Sequence, residues 1–341
     1  MRFSRIWPFL SLLSVLPDSV FASVLAIDYG ADWIKASLMK PGLPFDVLLN
    51  KDSKRKIQSS VGWKNDDRMF GSDAFNLVSE LVNPIVPYFS HLVLQASRFP
   101  SDSFSSVKHL LAAPINSDPV AFFTNISTAE VVETPRGSVV LRRSDGSEWA
   151  VEELVGMQFA YVKGLAEALA GEKVHDVVVT VPPFYTQFER DAVADAIEVA
   201  GLRTLALIND GTAVAINYAM TRSFPTPEYH VIYDAGASSI RATVVSFSTD
   251  TNSKGEATET AITIAGVGYD RAIGGHELDR RLRELLIEAF HAKHKKDIRG
   301  NKRGMAKLWK EAGRVKSILS ANSDAVATVR YLASMTRSLG F

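Results

Sequence analysis

The chain has 341 residues, of which 46% are hydrophobic, and its 38 basic and 38 acidic residues give a formal net charge of zero at pH 7. A chain of this length can bury a core large enough for two lobes. The balanced charge argues against nucleic-acid binding, which needs a basic surface. Because the sequence contains no cysteine, disulfides, thiolate metal sites and cysteine nucleophiles are excluded.

Residues 1–22 have the pattern of a secretory signal peptide. Arg2 and Arg5 precede an apolar run over residues 6–16, and Ala22 ends a short stretch suited to cleavage. The apolar run is too short to span a bilayer. We therefore expect cleavage after Ala22, entry into the endoplasmic reticulum and no membrane span in the mature chain.

A β-hairpin pattern follows directly. An apolar run over residues 24–27 leads into Asp28, Gly30 and Ala31 supply a turn, and apolar alternation resumes at Trp33. This pattern predicts two strands joined by a tight turn, with an aspartate at the mouth and Trp33 in the core. Short strands are expected over residues 46–50 and 59–63. Mixed helical signals broken by prolines occupy residues 77–119.

The middle of the chain alternates helix and strand signals. Strands are expected over residues 127–150, an amphipathic helix over 151–170 and a buried strand over 176–181. Thr186 and Glu189 form a capping-box pattern that opens a helix to about residue 200. A short strand over 205–208 leads to a helix over 213–220, which Asp210 could cap. This alternation predicts a doubly wound α/β lobe.

A near-copy of the first hairpin begins the second half. Asp234 ends the apolar run over 231–233, a turn of small residues follows, and helices are expected from about 277 to about 320. Two facing hairpins of this kind can hold a phosphate-bearing ligand, because turn N–H groups contact phosphate and the two aspartates orient a hydrated cation. The predicted fold class is α/β, with two ribonuclease-H-like lobes in an actin-like ATPase arrangement and an incomplete second lobe.

These blocks resemble the nucleotide-binding domain of the seventy-kilodalton heat-shock protein family, in particular its large lumenal branch of the 170-kilodalton glucose-regulated type. The resemblance covers about residues 24–327 and is carried by residues 179–184, 209–216, 266–279 and 319–322, with residues 50–56 typical of the large branch. It implies a first lobe over 23–220, a partial second lobe over 221–327 and a divergent tail over 328–341.

The resemblance implies that ATP or ADP binds between the lobes with Mg²⁺. Asp28 and Asp234 match the aspartates that orient the metal through water. Lys108, Asp210 and Asp234 are the implied catalytic residues, with Lys108 on a phosphate and Asp210 where smaller members use a glutamate to position water. The implied nucleotide-binding residues are Asp28, Gly30, Ala31, Gly236, Ala237, Ser238, Ser239, Gly274, Gly275, Lys316 and Ser320.

Departures from the family pattern bear on hydrolysis. Ala31 lacks the hydroxyl that smaller members carry, and it is followed by Asp32, a carboxylate unfavourable near polyphosphate unless it faces a cation or solvent. Arg241 replaces an aspartate used around the metal and water. Gly313 and Ser317 replace a glutamate and an arginine of the adenosine clamp. Because phosphoryl transfer depends on positioning water, metal and charge together, these changes predict weak or absent hydrolysis.

The implied function is that of an ATP-binding chaperone-family protein of the endoplasmic reticulum lumen. It would assist folding as a nucleotide exchange factor for a lumenal partner chaperone of the same superfamily, and would bind unfolded clients only through a region elsewhere. A competent ATPase of the same family and a non-functional truncated fragment are the alternatives. A sugar kinase is disfavoured because no sugar-pocket signature occurs, and an actin-like filament protein because of the signal peptide.

Overall fold

The computed structural model describes residues 23–77, 100–251, 257–328 and 339–340. The predicted signal peptide and the proline-broken region over 78–99 lie outside the described residues. Within them the chain forms two α/β lobes, which confirms the predicted fold class. The predicted lobe boundaries stay predictions.

The first lobe is built on a five-stranded sheet. Its strands in chain order are β1 (Val24–Tyr29), β2 (Trp33–Met39), β3 (Ile57–Gln58), β10 (Asp176–Val181) and β11 (Arg203–Asn209). They lie in the order β11-β10-β1-β2-β3, with β1, β10 and β11 parallel and β2 antiparallel to β1. Strand β10 is the apolar run that the sequence predicts as a buried strand. It has a neighbouring strand on both edges, and Val177 and Val179 are fully buried.

Smaller elements surround this sheet. One three-stranded sheet contains β4 (Ser60–Lys64), β5 (Asp67–Phe70) and β6 (Ser103–Ser105). Another contains β7 (Glu130–Glu133), β8 (Val139–Arg142) and β9 (Glu148–Ala150). Two 3₁₀ helices cover Pro100–Asp102 and Val107–Leu110. The α-helices are α1 (Gly71–Asn76), α2 (Asp118–Ile126), α3 (Val151–Ala170), α4 (Gln187–Val199) and α5 (Asp210–Ala219).

The two long helices of the first lobe begin and end where local sequence signals place them. On α3 the buried residues Val155, Phe159, Val162 and Ala166 recur at helical spacing and face the core. Gly171 ends α3 in the left-handed region at φ 69°, which glycine adopts without steric cost. At α4 the Thr186 N–H donates to the Glu189 carboxylate at 2.8 Å, so the predicted capping box is confirmed.

The second lobe contains an antiparallel meander and two long helices. The meander consists of β12 (Glu228–Ala235), β13 (Ile240–Thr251) and β14 (Ala257–Asp270), and the helices are α6 (Gly275–His294) and α7 (Lys302–Leu319). A two-stranded pair, β15 (Val326–Ala327) and β16 (Leu339–Gly340), follows α7. Helix α5 packs on the meander, where Ala215 and Ala219 share a core with Val245 and Phe247.

Three local predictions differ from the structure. The strand predicted over 46–50 is only an isolated bridge between Ser37 and Val47. Helix α5 begins at Asp210 rather than near 213, so Asp210 lies in its first turn and Asn209 is the N-cap. Trp33 is 40% exposed at the end of the first hairpin rather than in the core. No helix in the described part of the chain is long and apolar enough to cross a membrane.

Candidate functional site

Each hairpin places an aspartate directly opposite a basic residue. Asp28 on β1 is the cross-strand neighbour of Lys35 on β2, and Asp234 on β12 is the neighbour of Arg241 on β13. Directly opposed residues of an antiparallel pair lie about 5 Å apart, so each aspartate meets a cation. The internal duplication therefore repeats an ion pair as well as a turn.

The Asp28 carboxylate is held by two side chains. Lys35 Nζ donates to Oδ2 at 2.8 Å, and the Thr180 hydroxyl, from β10, donates to Oδ1 at 2.9 Å. Burial alone would raise the pKa of Asp28, but the Lys35 charge and these hydrogen bonds outweigh burial and lower it below the ordinary 3.8. Asp28 is therefore ionised at neutral pH with both oxygens engaged.

Arg241 joins the second aspartate to the start of α5. One terminal guanidinium nitrogen lies 2.7 Å from Asp210 Oδ2, and the other contacts Asp234 Oδ2. The Arg241 side chain is only 11% exposed. Burial raises the pKa of Asp210, and the nearby Arg241 charge opposes that rise. Two of the predicted catalytic carboxylates are thus bridged by one buried cation.

Lys108 lies beside the first hairpin, on the 3₁₀ helix Val107–Leu110. Its ammonium donates to the Tyr29 carbonyl and lies 5.4 Å and 5.8 Å from the ring centres of Tyr29 and Tyr185. Burial and then repulsion from Arg241 lower the pKa of Lys108 to about 8. This buried lysine therefore lies close to two other cations, Arg241 and Lys35, and to two carboxylates, Asp28 and Asp210.

The predicted third turn packs directly on the second hairpin. Gly275 N–H donates to the Gly236 carbonyl at 3.0 Å, and His276 N–H donates to the Ala237 carbonyl at 2.8 Å. A Cβ on Gly274 would lie 2.6 Å from the Ala237 oxygen, so only glycine allows this approach. The structure thus brings the two predicted phosphate turns of the second lobe together.

A histidine from the second lobe reaches the turn of the first hairpin. His276, at the start of α6, is 2% exposed, and its Nε2 lies 2.6 Å from Asp32 Oδ1. Its Nδ1 lies 3.0 Å from His109 Nε2, and the Ser106 hydroxyl is 3.5 Å from His276 Nε2. We define Asp32, His276 and His109 as the interlobe histidine contact.

The donors and acceptors of this contact fit one another. Burial and then the neighbouring His276 lower the pKa of His109 to about 3, so its ring is neutral at pH 7. Burial would raise the pKa of Asp32, but the hydrogen bond from His276 and its charge outweigh burial and lower it. His276 can donate from Nε2 to Asp32, and between its Nδ1 and the His109 Nε2 one nitrogen can donate to the other. The contact therefore closes the cleft near the turns and gives Asp32 a partner that is not a phosphate.

A cavity of about 850 Å³ lies between the lobes next to this contact. Asp32 and Trp33 line it from the first lobe, and Lys316 lines it from α7. Lys316 Nζ donates to Asp279 Oδ2 at 2.7 Å and to the Gly275 carbonyl at 3.2 Å. The predicted adenosine-clamp lysine thus lies against the third glycine turn.

The predicted site residues lie on several elements around the two hairpins, with one exception. Ser320 is the exposed C-cap of α7, and its hydroxyl donates to the Ser317 carbonyl instead. Ala31 and Ser239 are buried within their turns. Besides Lys316 on α7, the rest lie on the two hairpins, the third turn, the 3₁₀ helix or the starts of α5 and α6: Asp28, Gly30, Lys108, Asp210, Asp234, Gly236, Ala237, Ser238, Gly274 and Gly275.

The side chains do not fit the implied Mg²⁺ site. Five of the six carboxylate oxygens of Asp28, Asp210 and Asp234 already accept from a protein donor. Both oxygens of Asp28 are engaged by Lys35 and Thr180, both oxygens of Asp210 by Arg241 and the Gly211 N–H at 2.8 Å, and one oxygen of Asp234 by Arg241. No group of three or more metal-ligating side chains occurs in the described ranges. The metal roles of Asp28 and Asp234 stay predictions that this pairing does not support.

Sequence reasoning missed the roles of His276, His109 and Arg241. The histidines show no metal-ligand spacing, and nothing local relates His276 to Asp32, 244 residues away. Arg241 stands out in the sequence only as a basic residue where the family resemblance implies an acid. The register of the hairpin, with Arg241 opposite Asp234, is the signal that could have predicted its ion pair.

Comparison with known proteins shows which protein family the chain is similar to. The model of the Hsp70 protein family matches residues 24–338. The chain is 40% identical to heat shock protein 70 homolog lhs1 of Schizosaccharomyces pombe, over 92% of this chain and 36% of that protein. It is 38% identical to hypoxia up-regulated protein 1 of Xenopus laevis, over 96% of this chain and 49% of that protein.

A similar match of 36% identity to hypoxia up-regulated protein 1 of Danio rerio covers 95% of this chain and 32% of that protein. The chain thus spans between about a third and a half of the length of these curated relatives. The family model covers nearly all of the described residues, including both hairpins and the third glycine turn. The chain belongs to the Hsp70 protein family.

Proposed function

We propose that this chain is the nucleotide-binding region of an Hsp70-family chaperone of the endoplasmic reticulum lumen. It binds ATP or ADP in the cleft and hydrolyses ATP slowly or not at all. Its action on folding is through nucleotide exchange on a lumenal partner chaperone of the same superfamily. The observation that carries this proposal is the bridging of Asp210 and Asp234 by Arg241, close to Lys108 and Asp28.

The cleft supports nucleotide binding in both shape and charge. A volume of about 850 Å³ is in the range of small-molecule sites, which are typically about 300–1,000 Å³. Asp32 and His276, which line the cavity, adjoin the first hairpin turn and the third glycine turn, and turns of small residues bring amides close to phosphate oxygens. Lys316 supplies a cation in the cavity wall, and Lys108 supplies one beside the first hairpin.

The same geometry argues against rapid hydrolysis. Asp210 is the residue implied to position water, yet Oδ2 accepts from Arg241 and Oδ1 accepts from the Gly211 N–H. Each oxygen of an ionised carboxylate can accept two hydrogen bonds, so Asp210 keeps acceptor capacity for water, but the direction of its carboxylate is fixed by Arg241 and the Gly211 N–H. Ala31 offers no hydroxyl at the first turn. Phosphoryl transfer needs such positioning, so turnover should be slow.

The cellular setting rests on sequence features and relatives. The signal-like pattern over residues 1–22 supports entry into the secretory pathway. The relatives named hypoxia up-regulated protein 1 and heat shock protein 70 homolog lhs1 are longer proteins, so client binding would need a region beyond the part matched here. The partner chaperone and the exchange reaction are part of the proposal.

Calorimetric titration of the purified chain with ATP and with ADP tests the binding step. We expect saturable binding of both nucleotides, and a single-turnover assay with labelled ATP should give hydrolysis much slower than a conventional Hsp70 measured beside it. An absence of binding by folded protein would refute the nucleotide site. Turnover as fast as that of the conventional Hsp70 would refute the binding role and favour the alternative of a competent ATPase.

Stopped-flow release of fluorescent ADP from a conventional lumenal Hsp70 tests the exchange step. We expect the chain to accelerate release in proportion to its concentration. Bovine serum albumin at equal concentration is the control for non-specific effects. If release is unchanged while the chain itself binds nucleotide, the exchange role is wrong and the nucleotide site stands.

A further inference from the structure

We infer that Arg241 takes the place of the divalent cation at this site, so that the chain binds nucleotide phosphates without a metal. This inference rests on the proposed nucleotide binding and specifies its cofactor requirement. It assigns to one residue of β13 a role that the metal plays in the family pattern implied by the sequence.

Most of the carboxylate oxygens at this site already accept hydrogen bonds from protein donors. Asp28 is engaged by Lys35 and Thr180, and Asp210 and Asp234 share Arg241. Mg²⁺ is hydrated and is held by carboxylates that are free to accept from its waters. A metal that bound directly between Asp210 and Asp234 would compete with a guanidinium that is only 11% exposed, and displacing it would leave that charge without partners.

The guanidinium of Arg241 lies against the second hairpin turn. A Cβ on Gly236 would lie 3.4 Å from one terminal nitrogen of Arg241, so the charge rests against the second hairpin turn. That turn is the one implied to hold phosphate. The Arg241 Nε is buried and has no hydrogen-bond partner in the described structure. Because Nε is inaccessible, the donors that suit phosphate oxygens are the second N–H groups of the two terminal nitrogens, which the aspartates hold in a fixed position.

The charges of the side chains around Arg241 balance one another. Three carboxylates, on Asp28, Asp210 and Asp234, face three cations, on Lys35, Lys108 and Arg241. The cluster is therefore already neutral, whereas a carboxylate site built for Mg²⁺ carries a negative charge for the metal to offset. Adding a divalent cation would leave an excess of positive charge, and adding phosphate alone would place an anion beside Lys108 and Arg241.

The test compares binding in two buffers. The unmodified chain is titrated calorimetrically with ADP in EDTA and again in excess Mg²⁺. We expect dissociation constants within about threefold of each other. Weakening by more than about tenfold in EDTA would overturn the inference while leaving the nucleotide site intact. An absence of binding in both buffers would overturn the proposed function, and this inference with it.

Variants locate the effect at Arg241. Arg241→Ala frees Asp210 and Asp234, so ADP binding should weaken by more than about tenfold in EDTA and recover in Mg²⁺. The matched control is Arg142→Ala, because Arg142 also bridges two glutamates, at 2.8 Å and 2.7 Å, but on the exposed face of β8. Arg142→Ala should keep the metal independence. If Arg241→Ala keeps it as well, Arg241 is not the replacement cation.

A direct metal titration covers the case in which Arg241→Ala fails to fold. The unmodified chain is titrated with Mn²⁺ and free metal is followed by electron paramagnetic resonance, with and without ADP. We expect no saturable Mn²⁺ binding by the protein alone, and with ADP no more than the nucleotide takes up by itself. Saturable binding of one Mn²⁺ by the protein would overturn the inference.

Discussion

Substitution of His276 by alanine tests whether the interlobe histidine contact controls opening of the cleft. His276 makes a 2.6 Å bond to the Asp32 carboxylate and a 3.0 Å bond to His109. The first is assisted by charge and contributes about 1.5–3 kcal/mol, and the second about 0.5–1.5 kcal/mol. The Ser106 hydroxyl, at 3.5 Å, is too distant to add much. His276→Ala should therefore remove about 2–4 kcal/mol of contact between the lobes.

The expected readout is the rate at which bound nucleotide leaves. If the contact is broken before release, losing about 2 kcal/mol should raise the dissociation rate about 30-fold. Release of fluorescent ADP, chased with excess unlabelled ADP, measures that rate. Hydrogen exchange over residues 30–33 and 274–277 provides a second measurement without nucleotide, and both segments should lose protection.

The control is His175→Ala, since His175 is an exposed histidine just before β10 and its side chain has no described partner across the cleft. Asp32→Asn combined with His276→Ala separates the pair from its background in a double-mutant cycle. A dissociation rate within about threefold of the unmodified chain, with unchanged exchange protection, would refute the reasoning. The contact would then be a consequence of closure rather than a restraint on opening.

Three further predictions follow from single features of the structure. Burial and Arg241 lower the pKa of Lys108 from 10.5 to about 8, and a bound phosphate should raise that pKa again. ADP binding should therefore take up protons and weaken as pH rises above about 8. Calorimetry in buffers of different ionisation enthalpy measures the uptake, and no uptake would contradict the placement of Lys108 beside a bound phosphate. Gly274→Ala should abolish nucleotide binding because its Cβ would lie 2.6 Å from the Ala237 oxygen, whereas Gly266→Ala, with open space around it, should bind normally. Thr186→Ala removes the cap of α4 and should lower the free energy of unfolding by about 0.5–2 kcal/mol in a denaturant titration; an unchanged value would argue against the capping box.

Local sequence patterns were sufficient for the parts of the fold that depend on near neighbours. The periodicity of α3, the stop at Gly171 and the capping box at Thr186 all act within one or two helical turns, and each is confirmed. The strand at β10 followed from an apolar run that only a strand with two neighbours can bury. The duplicated hairpins were predictable for the same reason, because turn chemistry and alternation are local.

Prediction failed where an element depends on what packs against it. The segment over 46–50 has strand character but finds only one bridge partner, at Ser37. Trp33 directly follows the turn of the first hairpin, on the face of β2 opposite to the buried residues, and lines the interlobe cavity. The predicted helix began near 213, with Asp210 as one possible cap, but α5 begins at Asp210 itself.

The sequence by itself determined the two-lobed α/β fold, the repeated aspartate at the mouth of each hairpin and the small-residue turns around the cleft. Only the tertiary structure decided how the charges there are used. Arg241 reaches Asp210 across the start of α5, and His276 reaches Asp32 from 244 residues away. The energy of such pairs depends on distance and burial, and neither is set until the lobes pack together.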